Sequence, residues 1–595
     1  SKGIFVSTPM IANISINASV CVTGVVSEHY GMTRLQPTTE VTTLGRGIAV
    51  PATNILVASA DANFSETLER YEGMKIRLVD LSDMRVTKPL YYDRRWLRHH
   101  MILSHGYVNI HPNTNAVPGS ILADQQALDN KQRRLYLQLA DTLTSISELD
   151  YIRVNDRVSG VVGVITFNYG EFRLLVDHAL SNTQFEHLSD RDILPPRRSE
   201  HLRIASFNLH NYFNHIDGGE SNPLRQNRGA TTLATLHWQE TKLIETIVTL
   251  DADFIGLMEI ENNGFGKHSA IQRLIRLVNQ RIKDPNKHYE MLKPSKSDLH
   301  QGRYLGSGAI AVAGFYRPTK LKLVKIRVIE LPIQRSILGN AYHRPALTAT
   351  FIRNNDDIKI NKKLTISVNH FKSKGSKCFE DKQRTAMLKK LKANRNKDKQ
   401  ALHIWQRTKL KLAQDRQGHC AQFRASAARV LAQSLALESG SKIILGDLNS
   451  HPKEDPILVL TDYKPARYAY YNVAPSERNY LGKKLLTPNM GKGFGYRDPF
   501  SQQDLEGWTY SFKALGRLDY ILLSPELFAN LVTKKIWHIN AAESRLVNNS
   551  REFNSSRELS NRHVSNNRRI GLDKISKIES VFSSSDHEPL FIELE

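Results

Sequence analysis

The chain has 595 residues, 40% hydrophobic and 24% charged, which excludes a disordered tail-like protein and exceeds what one core can organise. Lys and Arg number 82 against 59 Asp and Glu, a net charge of +23 that suits a polyanionic partner such as nucleic acid and says nothing about fold. No apolar run approaches the roughly 20 residues that cross a bilayer, and no charged segment with an apolar core marks a signal peptide after Ser1, so no membrane span is expected.

In chain order, residues 20–35 (VCVTGVVSEHYGMTRL) are β-branched and alternating, with Gly24 and Gly31 as turn signals. Further strand-like pieces follow at 48–58, 68–78, 107–110, 158–167 and 171–175. No helix is expected before about 125–141, and that stretch reads equally as a loop. Short punctuated strands suggest small β-barrels or sandwiches. In barrels of that kind Tyr30, Tyr91, Tyr92, Trp96 and Tyr107 offer faces for bases to stack on, although aromatics on strands more often fill a core. His99, His100, His105 and His111 have no tight metal spacing and no nearby Cys, so a solvated or base-stacking loop is expected there.

Leu194-Pro195-Pro196-Arg197-Arg198 reads as a linker, since paired prolines stop both helix and ladder. Beyond it strands (202–208, 253–259, 309–315, 348–352, 364–370, 443–445, 518–523, 590–594) are interspersed with helices (241–250, 271–282, 423–437), the pattern of a layered α/β domain. Residues 374–411, dense in Lys and Arg, and 546–569, rich in Asn, Ser and Arg, read as solvated insertions. The first is also placed to grip phosphates beside a cleft.

The polar residues that end these strands carry the chemistry. Ile443-Ile444-Leu445 is a buried strand end broken by Gly446, and Asp447 and Asn449, two apart, project to one side. A lone Asp or Asn there is usually a turn former. The same pattern recurs at Asn208, at Glu259, at Asn369-His370, at Arg517-Leu518-Asp519 and at Asp586-His587. Six such clusters at strand ends are not explained by turns. Hard oxygen donors suit Mg²⁺, Mn²⁺ or Ca²⁺, and two histidines can exchange protons near neutral pH, a set that fits metal-assisted hydrolysis of a phosphate ester.

The segments ASFNLHNYF (205–213), DFIGLMEIENNG (253–264), SVNHFKSKGS (367–376), ILGDLNSHPKEDP (444–456), RLDYILLS (517–524) and SSDHEPL (584–590) resemble the endonuclease/exonuclease/phosphatase (DNase I-like) superfamily, in its motif order. DRQGHCAQFRASAA (415–428) and the β-type segments 22–36, 68–74 and 153–175 resemble bacterial extracellular deoxyribonucleases of the ExeM/NucH type. The resemblance implies an α/β fold, a four-layer β-sandwich flanked by helices, over 200–595, with insertions near 376–414 and 545–570. It implies one or two small all-β, OB-like domains before it, at 1–62 and 66–195. It implies a secreted or periplasmic DNase that uses Mg²⁺ (or Mn²⁺ or Ca²⁺) and binds the DNA phosphate backbone; the alternatives are a phosphomonoesterase or phospholipase of the same fold, or a non-enzymatic DNA-binding matrix protein. Carried over position by position, Glu259 is the principal metal ligand with Asn208 and Asp586 close to the same ion. Asp447 and Asn449 hold the scissile phosphate or a second ion. His587, oriented by Asp519, activates water, and His370 donates to the phosphate or leaving group. Arg344, Lys372, Arg517 and Asn262 contact substrate. The resemblance also implies a Cys378–Cys420 disulfide. Cysteine counts alone leave open one bridge or three separate thiols, Cys21 included. One departure stands out: Gly308 occupies a position where the resembling proteins often carry Asp.

Overall fold

The computed structural model describes residues 3–7, 14–93, 98–139, 151–198, 200–336, 339–354, 363–414, 416–462, 493–501, 506–544 and 581–595. The expected insertion at 545–570 therefore falls wholly outside the described residues, as does Trp96.

The amino-terminal part is built of strands. Gly24–His29 and Met32–Pro37 form a hairpin that Phe5–Val6 extends, and Ala18–Cys21 pairs with Thr42–Arg46. A nine-stranded sheet follows, packed on a core that includes Ile55, Leu68, Leu103, Leu137 and Leu174. The boundary expected at 62–66 is crossed by this sheet. Thr53–Asn54 pairs in parallel with Lys75–Arg77, and Ile55 lies in the second core.

Three local expectations change here. A helix forms at Phe64–Arg70, before 125, because the Asn63 side chain accepts from Ser65 N and caps it. The expected 125–141 segment is a helix only over Ile121–Arg133, capped by Ser120. Arg134–Leu139, with apolar alternation, is a strand. The strand expected at 107–110 lies instead at Arg98–His105, and so the histidines are not on a solvated loop. His99 and His100 are buried in the ladder, His105 Nδ1 contacts Ser82 O at 2.7 Å, and His111 caps a short turn of helix at Pro112–Asn115. They form no metal-type cluster among the described residues.

The carboxyl-terminal part is a four-layer α/β sandwich. Its strands are β1 (Leu202–Tyr212), β2 (Phe254–Glu261), β3 (Glu290–Met291), β4 (Ile310–Tyr316), β5 (Leu321–Ile329), β6 (Ala346–Arg353), β7 (Lys363–His370), β8 (Ser441–Asp447), β9 (Asp519–Leu523), β10 (Leu531–Ile536) and β11 (Leu590–Leu594). One sheet runs β3-β4-β2-β1-β11-β10, the other β5-β6-β7-β8-β9. Both inner faces contribute to one core, with Phe207, Leu257, Val368, Leu445 and Ile521 fully buried. Gly256 sets their closest approach: a Cβ there would come within 2.2 Å of Leu445 Cδ1. Helices α1 (Leu233–Leu250) and α2 (Ala270–Arg281) cover the first sheet, each with an apolar stripe and a side-chain N-cap from Thr232 or Ser269. On the far side, Ala427, Leu431 and Leu435 of α5 (Ala421–Ala436) pack on Ile444 and Leu522 of the second sheet.

The lysine-rich insertion is not extended coil. It forms two helices, α3 (Phe379–Asn394) and α4 (Lys399–Gln414), between the cysteines of a disulfide, Cys378–Cys420. Ala, Leu, Lys, Gln and Arg are strong helix formers, so a helix needs no buried stripe to be favoured here. Cys21 is free and exposed.

Candidate active site

The strand registers bring the expected residues together. β7 and β8 are parallel with His370 opposite Asp447, and β8 and β9 are antiparallel with Asp447 opposite Asp519. Three polar residues on three adjacent strands therefore share one sheet edge. Gly446 permits the turn out of β8: its φ is +126°, and a Cβ would lie 1.9 Å from Asn369 O. Asn449 then takes a left-handed φ of 49° and folds back, its amide N donating to Asp447 Oδ1 at 2.8 Å and its Nδ2 to Phe371 O at 3.1 Å.

From the opposing sheet, Asn208 Nδ2 donates to Asp447 Oδ2 at 3.3 Å. Glu259 sits at a β-bulge between β2 and β4, with φ of 62°, a conformation that turns its side chain out of the ladder. His370 Nε2 lies 3.9 Å from Glu259 Oε1 and 3.5 Å from Asp447 Oδ2. His587 Nδ1 lies 2.7 Å from Asp519 Oδ2, and its Nε2 lies 3.9 Å from Asp447 Oδ2. Asp447 is thus the hub on which Asn208, Asn449, His370 and His587 converge.

The electrostatics follow from burial. Desolvation pushes the Asp447 carboxyl up, and Asp519 and Glu259 add like charge. Burial opposes charge on His587, yet Asp519, Asp586 and Asp447 outweigh it and raise the imidazole well above its ordinary value. His370 moves the other way: burial, then the charges of Arg344 and His587, hold it well below that value, and it stays neutral. Burial and the neighbouring Arg344, Arg228 and Arg424 pull Lys372 down to about 8. Crowded cations of this kind mark a place where an anion is welcome.

Asp447, Asp519 and His587 place ligand atoms within 4.8 Å of one another. The donor set fits a hard divalent cation, because the buried Asp447 carboxylate has Glu259 and Asp519 as like-charged neighbours. Asp519 Oδ2 is already committed to His587, and Glu259 stands outside this group, its Oε1 3.9 Å from His370 Nε2. Asp586 is paired with His210 Nδ1, which competes with the ligand role expected of it.

Two expected substrate contacts are not available to a substrate. Arg517 is buried, ion-paired with Asp498 and stacked on the Tyr520 ring at 4.9 Å. Asn262 is saturated by its own loop: Nδ2 donates to Leu305 O, Gly306 O and Gly308 O, and Oδ1 accepts from Leu305 N at 2.9 Å. Both lie inside motif segments, which does not by itself bring a side chain to substrate. Arg344 does border the site, donating to His370 O and Phe371 O at 3.2 and 3.1 Å, and Lys372 Nζ donates to Ser376 Oγ at 2.7 Å.

Several residues that build the site carried no sequence signal. Thr509 Oγ1 donates to Asp519 Oδ2 at 2.7 Å. Asn540 Oδ1 accepts from Ser584 N and Ser585 N, and its Nδ2 donates to His587 O, which fixes the loop that presents His587. Glu588 accepts the amides of Ile539, Asn540 and Ala542. Glu588 lies inside the SSDHEPL motif and was open to being singled out. Thr509 and Asn540 lie in irregular segments whose partners are set only by the tertiary fold.

No protein-family model matches the chain, and no curated protein matches it. Solved structures to which it is similar include endonuclease/exonuclease/phosphatase family proteins. The human Nocturnin catalytic domain with bound sulfate is 12% identical, over 66% of this chain and 94% of that one, with a TM-score of 0.32. The endonuclease/exonuclease/phosphatase from Bacteroides vulgatus is 12% identical over 67% and 99%, with a TM-score of 0.33. D. rerio TDP2 complexed with single strand DNA product is 13% identical over 67% and 100%, with a TM-score of 0.32.

Proposed function

We propose that the protein is a divalent-metal-dependent phosphodiesterase, a secreted deoxyribonuclease with little sequence preference. The observation that carries this reading is the strand register that sets His370, Asp447 and Asp519 side by side, with His587 bound to Asp519. Glu259 and Asp447 would hold a divalent cation, which when bound would neutralise charge on the phosphoryl oxygens. His587 takes the proton of the attacking water at Nε2 once a cation offsets the carboxylates that raise its proton affinity, and Asp519 orients the ring and stabilises the imidazolium. His370, neutral and bearing its proton on Nε2 between two carboxylates, donates to the phosphate or the leaving oxygen. Asn449 and Asn208 hold Asp447 in place, and Arg344 and Lys372 attract the phosphate backbone.

DNA as substrate is favoured by the net charge of +23, because backbone binding is electrostatic and sequence-independent. The Cys378–Cys420 bridge favours an oxidising compartment, in line with export. Digestion of supercoiled plasmid with and without EDTA tests the reading. Nicking that needs Mg²⁺, Mn²⁺ or Ca²⁺ and is lost in His587→Ala is expected. Nicking that persists in EDTA, or phosphate release from monoesters with no DNA cleavage, overturns it.

A further inference from the structure

The α3–α4 hairpin has no place in the chemistry above, yet it is rooted in the site. The strand before it, β7, ends in His370, and the chain reaches α3 at Phe379. It returns through α5 to β8 and Asp447. Between Phe379 and Gln414 it carries eleven Lys or Arg against three acids. All three acids accept backbone amides, and Asp381 Oδ1 also lies 3.3 Å from His419 Nδ1. Asp381 accepts from Cys378 N at 2.8 Å and Cys420 N at 3.0 Å. Glu380 accepts from Gln422 N at 2.9 Å and Phe423 N at 3.0 Å, in the first turn of α5. Asp398 accepts from Ala401 N at 2.6 Å in the first turn of α4. The acids and the disulfide fasten the base of the arm. Lys389, Lys390, Lys392, Lys397, Lys399 and Arg407 are exposed and make no ion pair among the described residues.

An ordinary solvated charge face mixes signs to limit self-repulsion. This arm does not. Lys382, Lys389 and Lys392 fall on one stripe of α3, at i, i+7 and i+10. Sixteen residues of α3 make a rod of about 24 Å, the length of about seven base pairs of duplex.

We infer that the α3–α4 hairpin is a clamp for the DNA phosphate backbone flanking the scissile bond, stapled at its base by Cys378–Cys420. The inference rests on DNA being the substrate. The test compares the wild-type chain with the variant K389Q/K390Q/K392Q/K397Q/K399Q/R407Q. Gln keeps helix propensity close to that of Lys, and all six sites are exposed, so folding is preserved. Binding of a 30-base-pair duplex is measured by fluorescence anisotropy in EDTA across salt concentrations, and hydrolysis of bis(p-nitrophenyl) phosphate is measured with Mg²⁺. The expected result is a salt slope shallower by at least about 2, a tenfold or greater loss of duplex affinity at about 0.1 M salt, and unchanged hydrolysis of the small diester. An unchanged slope overturns the clamp, whatever the diester assay gives. Failure of both proteins to cleave the small diester or plasmid overturns the phosphodiesterase reading and leaves the slope comparison to decide the clamp separately.

Discussion

Thr509 Oγ1 and the His587 imidazole share one oxygen, Asp519 Oδ2, each at 2.7 Å. The carboxylate is thus fixed from one side while it fixes the ring on the other. Asp519→Asn offers an amide N–H to Nδ1 and favours the tautomer with its proton on Nε2, which cannot act as base. Turnover is expected to fall by at least about a hundredfold with KM little changed. Thr509→Val removes one charged hydrogen bond, about 1–3 kcal/mol, and is expected to lower kcat about tenfold. Steady-state kinetics on a small diester check both; wild-type rates for Asp519→Asn remove His587 from the base role.

Glu259→Ala and His587→Ala are each expected to lower turnover by at least about a hundredfold. Asn262→Ala is expected to do something else. It breaks the latch on Leu305, Gly306 and Gly308, so urea unfolding registers the loss while KM for DNA stays within about twofold. A raised KM with undiminished stability would return Asn262 to the substrate surface.

The segment that carries Thr509 leans on the amino-terminal part. Ser511 Oγ donates to Thr87 O at 3.1 Å, Leu515 N to Asn109 O at 2.8 Å, and His111 N to Leu515 O at 2.7 Å. Deleting residues 1–195 removes those partners. Hydrolysis of a diester too small to reach any docking surface is then expected to drop at least about tenfold, because the Thr509–Asp519–His587 series loses its backing. Full small-substrate activity in the truncated chain would limit that part to DNA docking.

His343 is buried, with Nε2 at 3.0 Å from Phe423 O and its ring 3.8 Å from the Phe423 ring. Burial pushes it down to about 3. Between pH 6.5 and 3 the unfolded chain binds a proton there and the folded chain does not, so its contribution to stability is lost as pH falls. His343→Phe removes the titration. The stability of the wild type relative to this variant is expected to fall by about 1.4 kcal/mol per pH unit below pH 6. Urea melts at pH 7, 6 and 5 measure the difference, and a constant gap contradicts a neutral buried His343.

The Cys378–Cys420 bridge closes a separation of 42 residues, and loop-closure entropy puts its contribution near about 4 kcal/mol. Denaturant unfolding of Cys378→Ser/Cys420→Ser against wild type reads it. An equal midpoint would place the hairpin outside the cooperative unit.

Buried strands announce themselves by apolar runs that meet a polar residue, and so β1, β2, β7, β8 and β11, with Asn208, Glu259, His370, Asp447 and the loop residue His587, were legible, although β1 and β2 run on past Asn208 and Glu259 to Tyr212 and Glu261. Register was not. That His370, Asp447 and Asp519 align across three strands depends on pairing between segments far apart in the chain. Arg517 and Asn262 show the complementary failure: a polar residue beside a motif can face inward and bind backbone or an ion partner. The hairpin α3–α4 was hidden by its charge, since without an apolar stripe the helical period leaves no pattern. The described strands of the nine-stranded sheet were missed or shifted where, as at Arg98–His105, polar residues line a buried ladder.

β11 lies inside its sheet, between β1 and β10, and Arg203 on β1 holds Glu593 on β11 at 2.7 Å across a separation of 390 positions. Closing a loop of that length costs about 5 kcal/mol of chain entropy. Until it closes, β1 and β10 are bare edges open to other strands. Assembly is therefore slow and all-or-none at this point. His587, three residues before β11, meets Asp519 only when that strand seats, so the arrival of catalytic competence and the sealing of the sheet are one event.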